Sequence, residues 1–428
     1  MKKEGTVMED NKSLEPHYKH QIKRLRSTFK WLFLGIIVGL IVGAVGAAFF
    51  HGIKYATAFR KSHSFMIWLL PFAGLLIVFL YRLSKEYVDT GTNLVITTIS
   101  AGDHLPKRKI PLIFVATILT HLCGGSAGRE SAALQLGGSI GHNIGEMIKL
   151  DEDDCKIITM CGMSAAFAAL FGTPMAAAFL AMEIESIGVM YYAALIPCVV
   201  SALVASNLAK YLGTVPDVFA VTIVPNFTID NAIKGAILAV LCALISIMFC
   251  IVMKKSGELY KKAFKNPYIR IFVGGCLVVL LTLLVGNNYY NGAGMDVIEL
   301  ATEGKAPYEA FFFKMVFTAV TMGAGFKGGE IIPALYIGAT FGCLYSQIFG
   351  FNSALCSAIG MGALFCGITN CPISSLLLCF EMFGYNGMPY YLLAIALSYT
   401  FSGYYGVYDS QKIMYSKFRN KYINTTTK

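Results

Sequence analysis

Two glycine-rich segments, 200 residues apart, each end in an acidic residue and lead into an apolar stretch. Residues 124–130 read GGSAGRE, and residues 323–330 read GAGFKGGE. Glycine lets the backbone approach a ligand closely. The first N–H groups of a helix lack intrahelical partners and carry about half a positive charge. The two segments therefore predict helix starts that bind an anion without a buried lysine.

Glu130 is the residue best placed to control such a site. At a helix start its carboxylate can occupy the anion position as a tethered ligand, and protonation would weaken its binding and release it. It would then act as both a gate and a proton carrier. The alternative is a carboxylate that only caps a helix at the membrane surface. Glu330, its counterpart in the second segment, is a candidate second acid.

A third segment, Thr90-Gly91-Thr92-Asn93, precedes a short apolar run at 94–99. Threonine and asparagine at that start can cap a helix and can also donate to an ion. Close packing of helices is the alternative explanation for the glycines. Packing alone does not explain a carboxylate at the start of both paired helices.

The remaining sequence is that of a membrane protein. Of 428 residues, 56% are hydrophobic and 14% are charged, whereas soluble domains carry about 25% charged residues. Runs such as 31–50 and 232–253 have the roughly 20 residues that a spanning helix needs. Many other apolar segments are shorter and are interrupted by glycine and proline, which is typical of transporters with a site at the midplane.

The net charge of +10 is concentrated at the two ends of the chain, with eight Lys or Arg in the first 30 residues. Positive flanks of this kind mark cytoplasmic ends, so we expect both termini in the cytoplasm and no nucleic-acid partner. The 12 cysteines form no CxxC pair, so no metal site or other cofactor is predicted.

An internal repeat organises the chain. Residues 162–167 read GMSAAF and residues 360–365 read GMGALF. A proline follows twelve residues after each first glycine, and a glutamate (Glu183 and Glu381) nine residues after each proline. We expect a structural, hydrogen-bonded role for these two glutamates.

The repeat predicts an all-α polytopic membrane protein with tilted, broken helices. An odd number of crossings in each half would make the halves inverted in the membrane. The predicted units are an N-terminal cytoplasmic arm, repeat half 1, a linker, repeat half 2, and a short segment with a cytoplasmic tail, at residues 1–30, 31–212, 213–231, 232–403 and 404–428.

At these residues the sequence resembles the CLC family of chloride channels and proton-coupled anion antiporters, over about residues 30–408. Residues 128–132, GRESA, resemble its G[KR]EGP segment, whose Glu is the gate. Residues 328–333, GGEIIP, resemble its GGIFAP segment. The resemblance implies a CLC-like inverted repeat and a homodimer with one pore per subunit. The anion-binding residues it implies are Thr90, Gly91, Thr92, Asn93, Gly128, Arg129, Ile331, Ile332 and Tyr408.

Several residues depart from the general pattern of the CLC family, and they point to one group within it. The acid in FKGGE (326–330) and the Thr-Asn pair after Gly91 resemble the bacterial clade that exports fluoride in exchange for protons. Ile184 stands where chloride–proton antiporters carry an internal proton-transfer glutamate. The expected function is thus fluoride/proton antiport in a bacterial plasma membrane, with fluoride or chloride, protons and membrane lipids as partners.

Two alternatives differ in class. The first is a chloride channel or chloride/proton antiporter of the same family, with which Ile184 is compatible because channels also lack that glutamate. The second is a membrane-embedded enzyme, but the sequence contains neither HExxH nor GxSxG, and no catalytic residue is predicted. His121 and His142 are isolated, and lone histidines in apolar helices are more often packed than catalytic.

Overall fold

The computed structural model describes residues 17–86, 91–219 and 221–428, most of which are helical. The first half contains α1 (His17–Ser62), α2 (Leu70–Leu83), α3 (Thr92–Ala101), α4 (Lys109–Leu122), α5 (Glu130–Met147), α6 (Glu152–Phe171), α7 (Pro174–Glu183) and α8 (Leu195–Tyr211). The second contains α9 (Ile229–Ala263), α10 (Pro267–Val285), α11 (Met295–Thr302), α12 (Ala310–Ala324), α13 (Ile331–Phe349), α14 (Ser353–Thr369), α15 (Pro372–Phe383) and α16 (Met388–Phe401).

The fold class predicted from the sequence is confirmed. Seven helices within the described ranges are long and apolar enough to cross a membrane, and several others are apolar but shorter. The helix pairs α5–α6 and α13–α14 pack at the centre of the molecule and are almost entirely buried. Longer helices such as α1, α9 and α10 expose large apolar side chains on their outer faces.

The repeat is visible in how equivalent helices begin and end. The side chain of Asp151 caps α6 by accepting from Asp154 N, and that of Asn352 caps α14 by accepting from Leu355 N. Both helices end at a residue in the left-handed conformation, Gly172 and Asn370 respectively. Each is followed by a helix with proline at its first position, where the missing N–H costs nothing.

Glycines let the paired central helices touch through their backbones. A Cβ added to Gly162 of α6 would lie 2.1 Å from the carbonyl oxygen of Gly137 in α5. A Cβ on Gly360 of α14 would lie 2.0 Å from the carbonyl oxygen of Gly338 in α13. Small residues give membrane helices this close approach, and here both halves use it at equivalent positions.

The repeated glutamates join the two halves through hydrogen bonds. The Glu183 carboxylate, at the end of α7, accepts from the N–H groups of the second and third residues of α15, at 3.2 and 3.0 Å. The Glu381 carboxylate, in α15, accepts from the equivalent N–H groups of α7, at 2.9 and 2.8 Å. Each carboxylate therefore satisfies unpaired donors at a helix start of the other half, in agreement with the structural role predicted for both residues.

The two ends of the chain differ from the prediction. Helix α1 begins at His17, so the described part of the predicted polar arm continues without a break into the first span. The C-terminal segment is not only a tail. Strands β2 (Lys412–Tyr415) and β3 (Tyr422–Thr426) form a hairpin, and β2 pairs in parallel with β1 (Ser186–Ile187). The all-α description thus needs this small sheet added, because such short strands leave almost no periodic signal in a sequence.

We expect Gly162→Ala to destabilise the protein, because the new methyl group must push α5 and α6 apart. The free energy of unfolding should fall by about 2 kcal/mol, as is usual for an overpacked core. Gly257→Ala in α9 is the matched control, since a Cβ there meets no atom within 4 Å. Thermal unfolding of the detergent-purified variants measures both, and equal stabilities would contradict the packing described.

Candidate functional site

The two glycine-rich segments meet in a short antiparallel bridge. Gly128 N donates to Gly329 O at 2.7 Å, and Gly329 N donates to Gly128 O at 2.8 Å. Immediately beyond the bridge, α5 begins at Glu130 and α13 at Ile331. Because the paired segments run in opposite directions, the two helix starts lie side by side and approach from opposite directions, as inverted halves require.

A side chain at either bridging residue would meet its neighbours. A Cβ on Gly128 would lie 2.6 Å from Oε2 of Glu130 and 3.1 Å from the carbonyl oxygen of Gly329. A Cβ on Gly329 would lie 2.8 Å from the backbone nitrogen of Ser131. These are distances that real Cβ atoms do not adopt without displacing their neighbours, so the glycines make room for the Glu130 carboxylate and for the start of α5.

Glu130 is fully buried, and its carboxylate turns back over the start of its own helix. Oε2 accepts from the backbone N–H of Arg129 at 2.8 Å, and Oε1 accepts from Nε of Arg129 at 3.2 Å. The carboxylate therefore takes donors that a free anion would use at this helix start. This is the geometry that a tethered anionic ligand requires.

Arg129 is also held by an acid that sequence reasoning missed. Its Nη2 donates to Oδ2 of Asp217 at 2.7 Å, and its guanidinium lies 4.9 Å from the ring centroid of Phe50. Asp217 belongs to the segment predicted to be only a linker, and nothing in the sequence distinguishes it from other linker acids. The two carboxylates neutralise the guanidinium of Arg129. The anion-binding role that the resemblance implies for Arg129 stays a prediction.

The start of α3 is tied to the start of α5. Thr92 Oγ1 donates to the carbonyl oxygen of Ser131 at 3.3 Å and accepts from Nε2 of Gln135 at 3.2 Å. Among the described residues no side chain caps α3, which begins after Gly91 at a φ of 63°. Thr92 and Asn93 therefore do not cap α3, and their role as donors to an anion stays a prediction. Thr90 lies outside the described residues.

Asn93 connects α3 to the chain after α16. Its Oδ1 accepts from Ser410 N at 3.0 Å, which holds the loop carrying Tyr408 against the site. The Tyr408 hydroxyl is buried without a hydrogen-bond partner among the described residues and lies near the carboxylates of Glu330 and Glu130.

Glu330 supplies a second unpaired oxygen. Its Oε2 is buried without a hydrogen-bond partner among the described atoms. Ser131 lies close to both Tyr408 and Glu330, and its hydroxyl accepts from Glu330 N at 3.4 Å. Neither Tyr408 Oη nor Glu330 Oε2 has a hydrogen bond of acceptable geometry to it. Buried polar atoms without partners are costly, so these two oxygens mark the place where a ligand can bind.

A cavity of about 530 Å³ reaches this place. Its lining includes Gly91, Gln135 and Glu330 from the site. Four basic side chains and two acidic ones also line it, which gives the cavity a net positive character that attracts anions. The charged lining residues are Arg82, Lys261, Arg270, Lys327, Glu86 and Glu330.

The described candidate residues thus come together at one point. The starts of α3, α5 and α13 and the loop carrying Tyr408 surround it, and they bring with them Gly91, Thr92, Asn93, Gly128, Arg129, Glu130, Glu330, Ile331, Ile332 and Tyr408. The site also contains Ser131, Gln135 and Asp217, which were not predicted. Of these only Gln135, a polar residue one turn after Ser131 in a buried helix, carried a signal in the sequence.

Comparison with known proteins finds relatives over most of the chain. The model of the voltage gated chloride channel family matches residues 80–403. The chloride/fluoride channel protein of Pseudomonas syringae pv. tomato is 34% identical over 405 residues, which cover 93% of this chain and 89% of the relative. The H(+)/Cl(-) exchange transporter ClcA of Vibrio cholerae is 25% identical over 83% of this chain and 82% of its own length.

Solved structures share the fold. The crystal structure of a CLC-type fluoride/proton antiporter superimposes with a TM-score of 0.87 at 31% sequence identity, and the match covers 90% of this chain and 98% of that one. A slow cyanobacterial Cl-/H+ antiporter superimposes with a TM-score of 0.74 at 19% identity, with 87% and 94% of the two chains covered. At that lower identity the likeness concerns the fold alone.

We expect Asp217→Asn to be strongly destabilising, because it leaves the buried guanidinium of Arg129 with one carboxylate instead of two. Breaking a buried ion pair costs about 3 kcal/mol or more. Asp230→Asn is the matched control, since its ion pair with Lys234 is exposed and is worth at most about 0.5 kcal/mol. Thermal unfolding in detergent separates the two, and an Asp217→Asn protein as stable as the control would show that the pair is not needed.

Proposed function

Because the chain belongs to the voltage gated chloride channel family, we propose that it exports fluoride in exchange for protons, with Glu130 as the gate. The protein is a multi-pass membrane anion transporter of this family. Two similar proteins, each more than 30% identical over the matched residues, support the choice of fluoride. The relative is a chloride/fluoride channel protein, and the solved structure is a fluoride/proton antiporter.

One observation carries the proposed mechanism. The Glu130 carboxylate sits on donors at the start of α5, which are the groups that an incoming anion would need. The anion and the ionised carboxylate therefore compete for one position. When the carboxylate takes up a proton it loses its charge, binds these donors weakly, and can leave the position to the anion. Movement of the anion and movement of the proton are coupled because the same side chain governs both.

The surrounding donors suit a small, strongly hydrated anion. Fluoride gives up its water only to a dense set of short hydrogen bonds, because its charge is concentrated on a small ion. The N–H groups of Ile331 and Ile332 at the start of α13 have no intrahelical acceptor. The buried hydroxyl of Tyr408, which has no hydrogen-bond partner among the described residues, would be a further donor. Together they would replace the hydration shell without a fully charged lysine or arginine side chain.

Proton movement needs a route from Glu130 to the cavity. Ile184 stands where the resemblance would place an internal glutamate. It is buried, and its side chain cannot transfer a proton. Glu330 is the candidate second acid, since it lines the cavity and its backbone N–H donates to Ser131, the residue after Glu130. We propose that protons pass between Glu130 and the cavity by way of Glu330.

The remaining features follow from the resemblance and from the charge distribution. We propose that both termini are cytoplasmic, that the protein lies in a bacterial plasma membrane, and that two chains form a dimer with one pore each. Large apolar side chains on the outer helices, such as Phe72, Phe79 and Leu284, would contact lipid chains.

Flux measurements in liposomes test the exchange. We expect a fluoride gradient to drive proton movement against the proton gradient, and little or no movement with chloride. Glu130→Gln should abolish the proton coupling, because an amide cannot carry the proton. Glu152→Gln is the control, since Glu152 is exposed and remote from the site. Large chloride currents without proton pumping would instead identify a chloride channel, and wild-type proton exchange by Glu130→Gln would refute the role of Glu130.

Gly128→Ala tests the position of the carboxylate. The added methyl group would take the space of Glu130 Oε2, so the carboxylate can no longer rest on the helix start. We expect fluoride flux to persist while fewer protons move per fluoride ion than in the wild type. Simultaneous recording of fluoride and pH gives this ratio, and an unchanged ratio would show that the carboxylate does not close the site from the observed position.

A further inference from the structure

A cluster of metal-binding side chains lies at the opposite end of α5 from Glu130. His142 and Glu146 occupy adjacent turns near the end of the helix, and His104 lies in the loop between α3 and α4. Nδ1 of His104 is 2.6 Å from Oε1 of Glu146, and Nε2 of His142 is 3.4 Å from the same oxygen. The three ligand atoms all lie within 4.8 Å of one another.

The imidazole of His142 is buried, and the polar contact it makes is the 3.4 Å approach of Nε2 to Oε1 of Glu146. The residue is 7% exposed, and neither ring nitrogen has a hydrogen-bond partner among the described atoms. A buried polar group without a partner costs about 1–3 kcal/mol. Neither the contact between His104 and Glu146 nor the 3.4 Å approach of Glu146 to His142 gives Nε2 of His142 a hydrogen bond, whereas an ion bound between the three side chains would give that nitrogen a partner.

The neighbouring backbone holds the cluster together. Asn143, next to His142 in α5, donates from Nδ2 to the carbonyl oxygen of Leu105 at 3.0 Å. Leu105 is buried and follows His104 directly. The loop carrying His104 is therefore fixed against α5. The fold thus places the backbones of His104 and His142 next to each other.

We propose that His104, His142 and Glu146 bind one divalent transition-metal ion, and that Zn²⁺ fits this set best. Zinc commonly takes two histidines and a carboxylate, with water as the fourth ligand. Bonds of about 2.1 Å in a tetrahedron place neighbouring ligand atoms about 3.4 Å apart, close to the separation of His142 and Glu146. The His104 side chain is 64% exposed and can rotate to complete the set.

The chemistry of the ligands excludes the common alkaline-earth ions. Calcium and magnesium select oxygen ligands, and two of the three ligand atoms here are imidazole nitrogens, which suit zinc, copper and nickel. Among these metals the geometry of three protein ligands with one open position is typical of zinc.

At this position a bound ion would connect α3 to α5 at the ends of these helices that lie away from the anion site. Glu130 and Glu146 lie 16 residues apart in α5, about 24 Å along the helix. Helix α3, whose start joins Thr92 to α5, ends three residues before His104. An ion at the cluster would link the far ends of the two helices whose starts form the anion site. The inference rests on the cluster alone, so it is independent of which anion is transported.

Metal binding to the full-length protein, without a histidine tag and stripped with EDTA in detergent, tests the proposal. Calorimetric titration with Zn²⁺ should show one ion per chain. Titration with Co²⁺ should produce the visible absorption bands of a four-coordinate site. His104→Ala should weaken Zn²⁺ binding at least tenfold. Because His104 is exposed, this variant should keep the wild-type elution volume and thermal stability.

His63→Ala is the matched control, since His63 stacks on Phe59 away from the cluster and should leave the affinity unchanged. Glu146→Gln should weaken binding as His104→Ala does. Absence of one-to-one Zn²⁺ binding in the wild type would overturn the proposal. Wild-type affinity in both His104→Ala and Glu146→Gln would overturn it as well, because the ion would then bind elsewhere.

Discussion

The pair of hydrogen bonds between Gly128 and Gly329 is the contact on which the site depends. It places the starts of α5 and α13 together although they belong to different halves of the chain. Two helix starts at one point present several unpaired N–H groups and a partial positive charge. An anion can be held there by hydrogen bonds that are numerous but not individually strong, and it can also leave. A free buried arginine would bind it too tightly, and the structure neutralises Arg129 with Glu130 and Asp217.

The rest of the fold keeps these starts in place. Backbone contact at glycines joins α5 to α6 and α13 to α14, so each helix that carries the site is backed by a second buried helix. The halves are linked a second time by Glu183 and Glu381, because the carboxylate on each of α7 and α15 caps the start of the other helix. Inverted duplication explains why these devices occur in pairs. The halves have diverged where function requires it, since Glu130 bonds at the start of α5 while Glu330 faces the cavity.

Local sequence predicted the helix starts well and the partners of the site poorly. The starts of α5 and α13 could be predicted because their signal is local: glycines, then an acid, then an apolar run, all next to each other in the sequence. Asp217 could not be predicted, because its partner Arg129 is 88 residues away and only the folded chain brings them together. The sequence likewise presents His142 as an isolated histidine, because His104 lies 38 residues away and only the folded chain brings the two together. The C-terminal hairpin was missed because its pairing with β1 is likewise non-local.

The central claim is that fluoride and the Glu130 carboxylate compete for the same donors, so that the displaced carboxylate takes up a proton. Proton uptake on fluoride binding, measured with purified protein in weakly buffered detergent solution, tests this without transport. We predict that wild-type protein takes up protons as fluoride binds, approaching one per site, and that Glu130→Gln binds fluoride without proton uptake. Fluoride binding by wild-type protein with no proton uptake, or with the same uptake in Glu130→Gln, would contradict the account.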